Sequence, residues 1–325
     1  MAQATAPRTT PPARPGAPVA AVHVPPRSWH GDLRAIKIVW KRELIRFSKD
    51  RLRIATSLVQ PFLFLFVLGT GLSSLARAGT HGVDLRTFVY PGVLCMAVLF
   101  TAMFSAASLV WDREFGFLRE MMVAPVRRSS LVLGKCLGGA TVAGFQGLIV
   151  VALAGLVGVP YDAGMIVAVI ALQLALAFAI TAFGVMVAAR IGQIQSFMAI
   201  TQMVMMPMYF LSGAIFPVSG LPQWLTILNR LDPMTYAVDP MRRIVFNHLH
   251  ISAAARRALD PGVTWWGWHV PTMLEAGVVV LIGMLCLGVA VAEFNGREGG
   301  ATTYGNLTFG PSAAGHCNIK FGVSG

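Results

Sequence analysis

Residues 89–111 read VYPGVLCMAVLFTAMFSAASLVW, with no Asp, Glu, Lys or Arg among them, and Asp112-Arg113-Glu114 follows at once. Crossing the ~30 Å hydrocarbon layer of a bilayer takes about 20 residues of α-helix at about 1.5 Å each. The stretch has the length and composition of one membrane span and stops where charge begins.

Five further windows of this kind lie around it, at about 54–72, 131–159, 165–189, 194–216 and 273–294. The chain has 325 residues, 55% of them hydrophobic and only 12% charged, which leaves too little polar surface for a soluble globular domain. The expected fold class is an all-α integral membrane protein with six transmembrane helices. The window 131–159 is long enough to hold an interfacial turn besides its span. Pro207 removes a backbone donor from the fifth window and is expected to kink or break that helix.

The net charge is +12, but Lys and Arg flank the apolar windows instead of clustering on one soluble face. Membrane lipid, not nucleic acid, is the expected partner. With six crossings, 19 of the 26 Lys and Arg residues fall on the amino-terminal side and 7 on the other. Positive loops stay cytoplasmic, so a multi-pass protein of the plasma (inner) membrane with both termini inside is expected. Residues 1–30 are rich in Pro, Ala and Arg without an apolar run, which reads as a disordered cytoplasmic arm and not a signal peptide. Residues 31–294 form the expected transmembrane domain, and 295–325 a Gly-rich, flexible cytoplasmic tail.

Within 31–53, Leu33, Ile36, Trp40, Leu44 and Phe47 recur at helical spacing among Lys and Arg, as in an amphipathic interfacial helix. Between the fifth and sixth spans, repeated Pro and Gly from Met206 to Arg243 interrupt the apolar run. An outer re-entrant helical hairpin fits, because broken backbone at membrane depth survives only when covered by protein or water. Trp265, Trp266 and Trp268 mark a headgroup level, and Glu275 nearby is expected to reach outward to water. Gln146, Gln173 and Gln202 are expected to hydrogen-bond between helices in preference to lining a substrate path, while Gly134, Gly138, Gly139, Ala143 and Gly147 should let helices approach closely.

Enzyme signatures are missing. Gly134-Lys135 lacks the upstream Gly and the following Ser or Thr of a GxxxxGK[ST] phosphate loop, and no HExxH, GxSxG or CxxC occurs. No catalytic residue, metal site or cofactor of its own is expected. An ion-coupled secondary transporter would place ionisable groups near mid-membrane, and none is central to any window. A membrane-embedded transferase would need the cluster Asp232, Tyr236, Asp239, Arg242 and Arg243, where Asp239 and Arg243 read more simply as an i, i+4 pair. In the loop after the second window, charge alternates with Phe115, Leu118, Met121 and Met122 up to Pro125, in the manner of a short amphipathic docking helix.

The order Trp111-Asp-Arg-Glu-Phe-Gly-Phe-Leu-Arg-Glu, Ala124-Pro-Val-Arg-Arg, Gly134-Lys and Tyr209-Phe-Leu-Ser-Gly-Ala-Ile-Phe-Pro resembles the transmembrane permease subunit of type-two ABC exporters. It is similar in particular to daunorubicin-resistance and other multidrug permeases, over about residues 40–294. The resemblance implies a dimer with a second permease, a copy or a paralogue, and ABC ATPase subunits that hold the ATP and Mg. It implies outward transport of an amphiphilic drug, lipid or glycolipid, with polysaccharide or lipo-oligosaccharide as the alternative. Glu114, Phe115, Phe117, Leu118, Arg119, Glu120 and Pro125 would couple to the ATPase. Gln60, Met96, Met103, Phe104, Gln202, Met206 and Phe210 would line the translocation path.

Overall fold

The computed structural model describes residues 29–71, 84–116, 127–215, 222–249, 262–265 and 268–296. Almost all of the expected amino-terminal arm and of the carboxy-terminal tail lies outside the described residues, as do Phe117, Leu118, Arg119, Glu120 and Pro125, while Trp29 and His30 of the arm already belong to the first helix. Helix α1 runs Trp29–Lys49 and α2 Arg51–Gly71, with a π-helical stretch at Leu63–Leu68 just after Pro61. Then come α3 (Leu85–Glu114), α4 (Arg128–Ala152), α5 (Ala163–Arg190) and α6 (Ile194–Leu211). Two short helices, α7 (Gln223–Leu231) and α8 (Thr235–Asn247), precede a two-residue antiparallel ladder and the last helix, α9 (Thr272–Gly296).

Six of these helices, α2, α3, α4, α5, α6 and α9, are long and apolar enough to cross a membrane. Their starts are written locally. The carboxylates of Asp50, Asp84 and Asp162 accept hydrogen bonds from the backbone N–H groups of Arg53, Arg86 and Met165, satisfying orphan donors at the heads of α2, α3 and α5. The third apolar window resolves into α4 and a 3₁₀ turn at Ala154–Val157, closed by Gly158 at φ +77°. Pro207 does not break its helix: α6 continues past it to Leu211.

Helix α3 is the axis of the bundle. Of its apolar window 89% is buried, against 18% for α2 and 22% for α6, so those two helices keep broad faces open to lipid or to another subunit. Lipid tails are as apolar as the side chains, so packing of small residues, and not escape from water, joins such helices. A Cβ at Gly134 would lie 2.8 Å from Val39 Cβ, and one at Gly138 would lie 2.8 Å from Glu43 Cβ. These two glycines let α1 press against α4.

In α1, Phe47 is buried and Ile36, Trp40 and Leu44 are half-buried, while Leu33 stays half exposed. The same face also buries Asp32 and Glu43, which have cationic partners on α4 and just before it.

At the far end of the bundle, α7 and α8 are pinned across the tops of the spans. Asn229 Nδ2 donates to the Leu211 carbonyl at 2.5 Å, and Arg242 Nη2 to the Gly213 carbonyl at 2.5 Å. The Arg242 guanidinium also lies 4.6 Å from the centre of the Phe88 ring. Arg243 pairs with Asp239 at 2.7 Å and approaches Glu275 at 3.5 Å. Glu275 is thus buried within the protein and does not reach for water as the sequence suggested, because Arg243 of α8 supplies a counter-charge. Two of the three glutamines differ from expectation as well: both polar atoms of Gln146, and Gln173 Nε2, lack a hydrogen-bond partner among the described residues.

Candidate coupling site at the end of α3

Four consecutive residues close α3, and each grips a neighbouring helix. Trp111 receives the Arg46 guanidinium of α1 at 5.0 Å from its ring centre. Asp112 takes Arg42 Nη2 of α1 on Oδ1 at 2.9 Å and Lys135 Nζ of α4 on Oδ2 at 2.5 Å. Lys135 Nζ donates further to Glu43 Oε1 at 2.6 Å and Ser108 Oγ at 3.0 Å. The Lys135, Glu43 and Asp112 side chains are each about 95% buried, so the charges hold one another where water cannot. Trp40 Nε1 adds a bond from α1 to Thr141 Oγ1 of α4 at 3.0 Å.

The next two residues hold the turn between α5 and α6. Arg113 Nη1 donates to the carbonyls of Ala188, Ala189 and Ile191, at 3.2, 3.1 and 2.9 Å. A cation there meets the negative end of the α5 dipole. Its guanidinium also lies 5.8 Å from the Phe294 ring centre of α9. Glu114 Oε2 accepts from the Ile194 N–H at 3.1 Å, which places an anion at the positive head of α6. Through these contacts the end of α3 reaches α1, α4, α5, α6 and α9.

Phe115 follows with 72% of its surface exposed, and Gly116 turns the chain at φ +82°, a conformation open to Gly at little cost. Of the expected coupling residues, Glu114 is engaged inward and Phe115 faces out. Lys135, Asp112 and Glu43 carry the network, and none of them is among the expected coupling residues. A lone Lys inside a Gly-rich apolar run, with acids at the ends of two neighbouring helices, was the available signal.

The expected path residues divide into three groups. Gln60 and Phe104 share a cavity between α2 and α3. Gln202, Met206 and Phe210 stand on the exposed face of α6. Met96 and Met103 are buried in the bundle core, where α3 is enclosed by its neighbours among the described residues.

A bundle of six apolar helices, organised on one charged helix end and carrying an exposed aromatic beyond it, has the build of a transport permease. Residues 34–246 match the model of the ABC-2 type transporter family, and the chain belongs to that family. It is 26% identical over 220 residues to the protein named as transport permease ycf38 in Cyanophora paradoxa, covering 66% of this chain and 75% of that one. It is 29% identical over 215 residues to nodulation protein J of Rhizobium leguminosarum bv. trifolii, covering 65% and 80%. To the protein named as doxorubicin resistance ABC transporter permease DrrC in Mycobacterium tuberculosis it is 27% identical over 203 residues, covering 62% and 73%. The chain is therefore an ABC transporter permease, a multi-pass membrane subunit, and its family implies an ABC ATPase partner.

Proposed function

We propose that this permease exports an amphiphile, with a drug, lipid or glycolipid as the cargo class, using ATP hydrolysed on a separate ATPase subunit. Two permeases, copies or paralogues, would pair in the inner membrane with both termini and the α3 end in the cytoplasm. The excess of Lys and Arg on the amino-terminal side supports that orientation. One observation carries the reading: residues 111–114 make contacts with α1, α4, α5, α6 and α9, and the chain beyond them presents Phe115 to solvent. An ATPase that grips Phe115 and residues 117–125 would pull on the whole bundle at once. Gln60, Phe104, Gln202, Met206 and Phe210 are the proposed path residues, on or beside the open faces of α2 and α6. Polysaccharide or lipo-oligosaccharide is the alternative cargo.

Co-reconstitution of the permease with its ATPase in proteoliposomes tests the proposal. Transport of a fluorescent amphiphile should require the ATPase and ATP and should be absent with the permease alone. Transport driven by an ion gradient without the ATPase would contradict it.

A further inference from the structure

A cavity of about 320 Å³ lies where α2, α3 and α6 meet, near the α1 end. Its walls are mostly apolar, with Phe47, Phe100, Phe104 and Met198 among them. Two polar groups in the same walls stand without hydrogen-bond partners among the described residues: the buried Nη2 of Arg53 and Oγ1 of Thr101. The carboxylates of Asp50 and Glu43 act on the Arg53 charge from a distance, Asp50 also accepting from the Arg53 backbone N–H, and neither takes the buried Nη2. A guanidinium always carries its charge, and a buried donor left unmade is costly. An aromatic chamber with an unbonded guanidinium N–H group and a spare hydroxyl is complementary to a ligand with an apolar body and an anionic head.

We propose that this cavity is an entry subsite for an amphiphile bearing a phosphate or carboxylate headgroup, with Arg53 and Thr101 binding the head and the aromatic wall taking the tail. The proposal rests on the export reading above and narrows its cargo to anionic amphiphiles. The apolar wall favours an amphiphile over a free anion, because a bare phosphate would leave Phe47, Phe100 and Phe104 unused.

Trp111 lies in the same wall and serves as a built-in reporter. The full-length chain in phosphatidylcholine nanodiscs is titrated with bromine-tagged dodecyl phosphate, with the matching trimethylammonium compound, and with inorganic phosphate. Trp111→Phe isolates the Trp111 signal. Saturable quenching by the phosphate amphiphile is expected, about tenfold tighter than by the ammonium, with about a tenfold loss in Arg53→Gln and partial recovery in Arg53→Lys. Equal affinity for both amphiphiles, or full affinity in Arg53→Gln, would overturn the proposal. Inorganic phosphate competing as well as the amphiphile would overturn it too, as a free-anion site. If Arg53→Gln fails to give a monodisperse protein, Ser57→Asp, which adds a negative charge to the same wall, must weaken the phosphate amphiphile selectively or the proposal fails. Binding is read without the ATPase, so loss of ATP-driven transport with binding intact would count against the export reading alone.

Discussion

Lys135 of α4 reaches across to Asp112 at the end of α3, Nζ to Oδ2 at 2.5 Å, with both side chains about 96% buried. Glu43 of α1 completes the contact from the other side at 2.6 Å. Three helices thus meet at one ammonium group. Its removal takes the ion pair from the buried Glu43 carboxylate, while Asp112 keeps Arg42.

Lys135→Met is expected to cost about 3–5 kcal/mol, the typical loss when one partner of a buried pair is deleted. Pairing it with Glu43→Gln removes part of the unbalanced charge and should recover part of the loss. Denaturation midpoints of the purified variants in detergent check both. A single variant as stable as the wild type would show that the pair does not hold α1 in place.

Gly138→Ala places a methyl group 2.8 Å from Glu43 Cβ, so α1 must move away from α4. Overpacking of this kind costs about 1–3 kcal/mol. The thermal midpoint should fall, and Glu43→Ala in the same chain should not restore it, because Ala keeps the Cβ that is met and takes one acid from Lys135.

The spans were legible because twenty apolar residues in a row admit little but a bilayer helix. Asp50, Asp84 and Asp162 also announce their helix starts in the sequence. The face of α1 was half legible. Its periodic apolar residues are visible, but the burial of Asp32 and Glu43 depends on cations nearly a hundred residues away. For the same reason Glu275 was misplaced, since its partner Arg243 is brought to it only by the folding of α8 over α9. The burial of Met96 and Met103 in the core was not legible, since a methionine in a span reads alike whichever way it faces.

Asp232, between α7 and α8, is 6% exposed. Burial pushes its carboxyl up to about 7 from the ordinary carboxylate range, and the Met234 N–H on Oδ1 pulls only partly the other way. A carboxyl raised in the folded state contributes stability that is full below its unfolded value and is lost as pH rises through about 7. The protein should melt lower at about pH 8 than at about pH 5, and Asp232→Asn should shrink that difference. An unchanged difference in Asp232→Asn would assign the pH dependence to other groups.

Orientation is checked by single-cysteine labelling in intact cells, in a chain whose four cysteines are replaced. An impermeant reagent should modify a cysteine at Trp268, which is exposed in the ladder before α9, and not one at Ser129 at the start of α4. Labelling of Ser129→Cys alone would invert the topology.

Phe115→Ala combined with Phe117→Ala asks whether the end of α3 passes ATPase motion to the bundle, as proposed above. Truncating a buried aromatic anchor at an interface costs about 2–4 kcal/mol, whereas the helix contacts of residues 111–114 stay intact. In proteoliposomes holding the permease and its ATPase, the variant should insert at wild-type abundance while amphiphile transported per ATP hydrolysed falls about tenfold or more. Wild-type transport per ATP with normal ATPase binding would contradict the account.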